Sequence, residues 1–441
     1  MSGSLDAAIG ELDLEAAGRS MHALASELFP FCRSITGDGV RRTLERLAAD
    51  LPLEVHEVPT GTPVFDWTVP KEWNVRDAWV RGPNGDKVID FRESNLHVLN
   101  YSVPVRGTLP LSKLRKHLYT LPDQPNAIPY KTSYYREAWG FCLSHAKLES
   151  LPEGDYEYCI DSSLEAGSLS YGEVVLPGAL ESEVVFSAHV CHPSLANDNL
   201  SAVTVLHHLV RMLAQVDRRL TYRFVFAPGT IGAITWLSQH EDTIPRIRSG
   251  LVVAGVGDAG RFTYKRTRQG SAEIDMIVRR ALGEIEAEFD TIDFSPDGYD
   301  ERQYNSPGIG LPFGRLSRTP YGTYPEYHTS GDNLAFIHPD SLGQSLEALA
   351  RVCAFLEGSP RFLSRAPRGE PQLGKRGLYS ALGGHRDSNQ RERAMLWVLN
   401  YSDGEHSLAD IAERSQLPLS VVEEVAEVLT QNDLLSRLEE A

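Results

Sequence analysis

The spacing of apolar positions divides the chain into stretches of different character. Residues 13–50 carry apolar side chains at helical spacing in two segments, broken at Pro30, with Asp38 placed to cap the second. A short strand, LEVHEV, follows. From Phe65 to Tyr101 the pattern changes to short strands rich in Trp and Val with a hairpin turn at GPNGDK, and the Pro-rich LPDQPNAIPY leads back out. From about residue 150 strand and helix alternate: EVVFSAHV, NLSAVTVLHHLVRMLAQV, YRFVFAP, a helix through TWLSQH, GLVVAGVG and AEIDMIVRRALG. That rhythm predicts an α/β fold with a mixed, mostly parallel sheet sandwiched by helices. The helix SLGQSLEALARVCAFLEG closes this domain, a Pro/Gly linker follows, and three short helices ending in LLSRL match a winged helix. The expected divisions are 1–62, the helical start of the main domain; 63–130, a β-rich insertion; 131–365, the main domain; and 385–441, the winged helix.

Composition narrows the function classes. The net charge of -17 argues against a nonspecific grip on nucleic acid or anionic lipid, both of which need clustered Lys and Arg. No apolar run approaches the ~20 residues that span a bilayer, and the opening MSGSLDAAIGELDLEAAG is acidic, so a cytoplasmic protein without a membrane partner is expected. Five scattered cysteines without a C-x-x-C pair read as reduced thiols. The winged unit carries four Lys or Arg against eleven Asp or Glu from Arg391 to Ala441, and its last helix holds Glu423, Glu424 and Glu427 with no basic residue. Phosphate contacts need the opposite sign, so this unit is expected to pack on the main domain or a second copy of the chain in a homo-oligomer.

Sheets of this kind bind ligands at the carboxyl ends of their strands. In SAHVCHPSLANDNLSA, His189 leaves a strand and Asp198 begins the next helix; Asp258 follows the apolar GLVVAGVG, and His328 lies in PYGTYPEYHTSGDN. Two imidazoles and two carboxylates from strand-end loops form a nitrogen/oxygen set suited to zinc with a position left open for water. Near them, DERQY groups Glu301, Arg302 and Tyr304, while RTPYGTYPEY adds Arg318, Tyr321 and Tyr324. Their arginine forks suit a substrate carboxylate.

The order of these residues resembles that of the co-catalytic zinc aminopeptidases. More closely, SAHVCHPSLANDNLS, SPDGYDERQYNSPG and RTPYGTYPEYHTSGDN resemble a bacterial family of aminopeptidase-like proteins with an inserted β-domain and a C-terminal winged helix. The resemblance covers nearly the whole chain and implies a zinc aminopeptidase-type sheet. It implies further that Asp198 bridges two metal positions, that His189 and Asp258 complete one, and that His328 serves the other. The chain departs from the pattern at FAPGTIGAITWL: the aminopeptidases have two glutamates there, the aminopeptidase-like family one, and this chain has Gly229. It departs again at Cys191, where the aminopeptidases have an Asp that orients the ligand histidine. The expectation is therefore one zinc per chain, a small amide or peptide substrate, and Glu326 as the substitute general base. A form that keeps the pocket and binds a metabolite or carrier without hydrolysing it is the competing reading, favoured by Gly229.

Overall fold

The computed structural model describes residues 5–358, 360–378 and 386–438. Its centre is an eight-stranded sheet of β1 (Glu54–Pro59), β2 (Ser168–Leu176), β3 (Glu183–His189), β4 (Thr221–Ala227), β5 (Ile247–Val253), β6 (Phe262–Lys265), β7 (Phe289–Ile292) and β8 (Phe313–Ser317). The strands lie in the order β1-β2-β4-β3-β5-β8-β6-β7. The run from β4 through β3 and β5 to β8 is parallel, whereas β1, β2 and the β6/β7 pair enter antiparallel. Every residue of β3, β4 and β5 is buried; the strands are mostly apolar, and their buried charges Glu183, Arg223 and Arg248 are ion-paired.

Alternation along β3 decides which side each residue serves. Val184, Phe186 and Ala188 join a core made with helices α1 (Leu14–Leu28), α2 (Asp38–Ala48), α3 (Ala202–Leu213), α5 (Glu273–Glu284) and α6 (Pro339–Glu357). Val185 faces the other core, with α4 (Ile231–Gln239) and the inserted domain. His189 shares the parity of Val185, so it emerges at the strand end on the side that the insertion covers. Asp38 is the first residue of α2 rather than its cap; the cap is Gly37. Its φ of +95° and a would-be Cβ only 2.1 Å from the Trp73 carbonyl oxygen leave room for no other residue.

The insertion departs after β1 and returns at β2, so it reaches past residue 130. Its four-stranded antiparallel sheet pairs Glu72–Arg81 with Asp155–Glu165, a contact between distant segments that local patterning does not reveal. One strap of it crosses to the late part of the chain: Tyr130 N–H donates to His328 C=O at 2.7 Å, and Ser330 N–H to Ile128 C=O at 2.8 Å.

The winged unit also begins earlier than 385. The central strand of its three-stranded sheet is Arg361–Ser364, flanked by Asp403–Ser407 and Leu435–Arg437. Helices α7 (Arg386–Tyr401), α8 (Leu408–Ser415) and α9 (Leu419–Gln431) complete it. Helix α8 rests on α5, where Arg279 pairs with Glu413 at 3.1 Å. All five cysteines are free thiols. Among the described residues no helix is long and apolar enough to cross a membrane.

Candidate metal centre

Asp198 is completely buried, and an imidazole meets each of its oxygens: His189 Nε2 lies 2.7 Å from Oδ1 and His328 Nε2 lies 3.0 Å from Oδ2. His192, three residues after His189 in the same loop, completes a trio with His189 and Asp198 whose ligand atoms all lie within 4.8 Å of one another. Tetrahedral zinc with bonds of ~2.0–2.1 Å spaces its ligand atoms about 3.3 Å apart, so these donors need only small adjustments to hold such an ion.

The protonation states of Asp198 and His192 suit a cation. Burial alone would raise the Asp198 carboxyl, but His192, His189 and His328 hold it well below the usual carboxylate range. Burial lowers His192 to about 3, so its ring is neutral and has a free lone pair. Burial disfavours charge on His189 too, yet the Asp198 carboxylate outweighs this and its pKa is raised.

The loop that presents these groups is held from several directions. The Asp332 carboxylate accepts the backbone N–H groups of Asn197 at 2.6 Å and Asp198 at 2.9 Å. Burial pushes Asp332 up to about 7, with the neighbouring Asp198 adding to the rise. Buried Arg33 donates to His192 C=O at 2.8 Å and to Leu28 C=O at 2.6 Å. The Asn199 amide sits 3.2 Å from His189 Nδ1 and is itself anchored by Gly255 N–H at 3.0 Å and Val253 C=O at 3.1 Å. His328 takes a left-handed φ of +55°, an uncommon conformation for a side-chain-bearing residue, and is restrained there by the Tyr130 hydrogen bond. Tyrosines wall the donors: Tyr299 stacks on His189 at 5.1 Å, Tyr327 on His328 at 3.9 Å, and Tyr130 stands edge-on to His192 and His328, each at 5.1 Å. Such walls exclude water and strengthen charge interactions inside them.

Other expected residues lie elsewhere. Asp258 does not join the trio: its carboxylate accepts from Asn197 Nδ2 at 2.9 Å, Gly260 N–H at 2.8 Å and Thr319 Oγ1 at 2.5 Å. Strand β5 stops at Val253, and the chain turns at Gly255 with φ +61°, which carries Asp258 behind Asn197. Arg318 is pinned to Gly260 C=O and the Gln344 side chain, both at 2.7 Å, and lines a separate groove with Glu15 and His338. Glu301 is buried against Lys265 at 3.0 Å and Arg315 at 3.4 Å, and the Tyr304 hydroxyl donates to Ser187 Oγ at 3.0 Å. Tyr321 stays near the centre, its ring 5.3 Å from that of Tyr299. Glu326 lies over Gly331, and Arg302 is half-buried near Asp300. The Cys191 thiol is packed 3.7 Å from Gly229 C=O, and burial pushes its pKa far up.

Gly229 faces a group that motif reading passed over. A Cβ added there would lie 3.2 Å from His189 Cβ and 3.3 Å from Asp300 Oδ2. Asp300 is only 3% exposed, and burial raises its carboxyl to about 6 despite the opposing pull of His189. Both His192 and Asp300 stand inside the quoted motifs, HVCHP and GYDERQY; the second histidine three residues on was the available signal.

Residues 22–359 match the family described as Domain of unknown function (DUF4910). The chain belongs to the DUF4910 family. Behind the DUF4910 domain, residues 361–437 match a winged helix-turn-helix family. A Clostridium acetobutylicum protein named for polysaccharide biosynthesis and an aminopeptidase-like domain is 50% identical over 418 residues, covering 95% of this chain and 96% of that protein. A crystal structure of a peptidase-named protein from the same organism superposes with a TM-score of 0.83 at 48% identity, covering 97% of this chain and 98% of that one. The zinc aminopeptidase of Bacillus subtilis shares the fold at 14% identity and a TM-score of 0.57, covering 77% of this chain and 94% of that one. The DUF4910 domain thus has the α/β fold of the zinc aminopeptidases, with a winged helix behind it.

Proposed function

We propose that this DUF4910 protein is a zinc-dependent amidohydrolase of aminopeptidase type, acting on a small aminoacyl amide or peptide-like conjugate. The observation that carries the reading is the buried Asp198 carboxylate held between imidazoles. His189, His192 and Asp198 would hold one zinc, with His328 on the second oxygen of Asp198. Bound zinc supplies Lewis acidity, polarising an amide carbonyl and acidifying water. The chain's own residues do the rest: Asp332 and Asn199 fix the donors, and the Tyr299 and Tyr327 rings close off solvent. Tyr321, Arg302 and Glu326 are candidates for substrate contact. The name of the Clostridium relative makes amide groups on saccharide precursors a first substrate class to screen.

Elemental analysis of protein purified without added zinc, joined to a panel of aminoacyl amides assayed for released amine, tests this. About one zinc per chain and measurable amine release are expected. Zinc-loaded protein that binds panel members without cleaving them would replace the reading by the binder alternative, which Gly229 favours.

The acidic winged unit supports a packing role in the cytoplasm rather than a nucleic-acid partner. Full-length protein titrated with labelled duplex DNA at physiological salt is expected to leave its polarisation unchanged. Micromolar binding that weakens steeply with salt would reverse that expectation.

A further inference from the structure

We propose that Asp300 is the catalytic carboxylate of this centre, the group that takes the proton from the attacking water. This rests on the hydrolase reading above and supplies the base that Gly229 withholds. The Asp300 oxygens stand 3.3 and 3.6 Å from where a Cβ at position 229 would be, so the carboxylate occupies the room a side chain from that strand end would enter. It is buried, and its Oδ1 has no hydrogen-bond partner. It sits at the N-cap of the Glu301–Tyr304 turn without capping it through its side chain. A carboxylate sealed from water with an oxygen unused is costly, and such a group persists where function requires it.

The neighbouring carboxylates are held by other partners. Glu301 is ion-paired through Oε1 to Lys265 and Arg315, although its Oε2 also has no hydrogen-bond partner, while Asp332 is bound to backbone amides and Asp258 to Asn197, Gly260 and Thr319. Asp300 is not part of the donor trio, and its Oδ2 and the His189 Cβ lie 3.3 and 3.2 Å from the same point over Gly229, so it stands beside the donors, as a base acting on an adjacent water must. In the step, an O–H bond of water breaks, its proton moves to the Asp300 carboxylate, and the water oxygen bonds to the amide carbon. The C–N bond then breaks while the same proton passes to the leaving nitrogen. One water is consumed, an acid and an amine leave, and Asp300 is again a carboxylate.

The test is Asp300→Asn in the full-length zinc-loaded protein. Zinc content should match wild type, the melting temperature should hold or rise, and amide hydrolysis should fall about 10²–10⁴-fold. Asp300→Ala combined with Gly229→Glu should recover at least about tenfold over Asp300→Ala alone, because truncation clears the space the new carboxylate enters. A folded, zinc-loaded Asp300→Asn protein with wild-type turnover would overturn this role and leave the hydrolase reading standing. Loss of zinc in that variant would make Asp300 a ligand and overturn the role as well. Wild-type protein that holds zinc yet cleaves no amide would remove both readings together.

Discussion

Asp198→Ala is expected to come off purification with zinc at background level, where wild type carries about one ion per chain. Asp198 contacts His189 and His328 through separate oxygens and is the carboxylate of the trio, so its removal takes away the trio's anionic donor. The loss should exceed the ~10–100-fold drop in metal affinity typical of changes to outer-shell partners. Asp258→Asn provides the contrast. Its carboxylate is spent on Asn197, Gly260 and Thr319, so that variant should lose stability but retain its zinc. Elemental analysis of both proteins decides it, and a zinc-free Asp258→Asn with a zinc-loaded Asp198→Ala would place the metal elsewhere.

Asp332→Ala should have the second largest effect, and on two readouts at once. The substitution strips acceptors from the Asn197 and Asp198 N–H groups, both in buried backbone. Each orphaned buried donor costs about 1–3 kcal/mol, so a loss of roughly 2–6 kcal/mol is expected in denaturant unfolding of the metal-free protein. Because those amides set the path of the loop, zinc content should drop as well. Asp332→Asn keeps one acceptor oxygen and should lie between the two proteins. A metal-free stability equal to wild type would show that the loop holds its course without this carboxylate.

Much of the architecture was legible because β3, β4 and β5 are apolar on both faces, a pattern that only a covered parallel sheet accommodates. His189 and Asp198 followed from the same logic, one at a strand end and the other nine residues on. Asp258 lies apart from the trio because the apolar run GLVVAGVG overshoots its strand, which ends at Val253 where Asn199 takes the next backbone groups. His192 could be suspected from its place three residues after His189, but the loop course that turns it toward Asp198 is held by Arg33, 159 residues away in the chain. The limits of the two smaller domains are hard to read from the sequence for a related reason. Their sheets are closed by strands distant in sequence: Glu72–Arg81 against Asp155–Glu165, and Arg361–Ser364 between Asp403–Ser407 and Leu435–Arg437. Gly229 could be read from the sequence, but the carboxylate facing it comes from a turn beyond β7 and could be seen only once the chain was folded.

The two histidines on Asp198 also differ in what they do to the chain as a polymer. The contact with His189 closes a ring of 9 residues, whereas that with His328 closes one of 130. An ion that drew in His328 as well as the trio would act as a cross-link, and the longer ring removes about 2 kcal/mol more conformational freedom from the unfolded chain than the shorter. Chelation should therefore loosen first the long excursion between residues 198 and 328, and a protease added with the chelator should find its earliest cuts there.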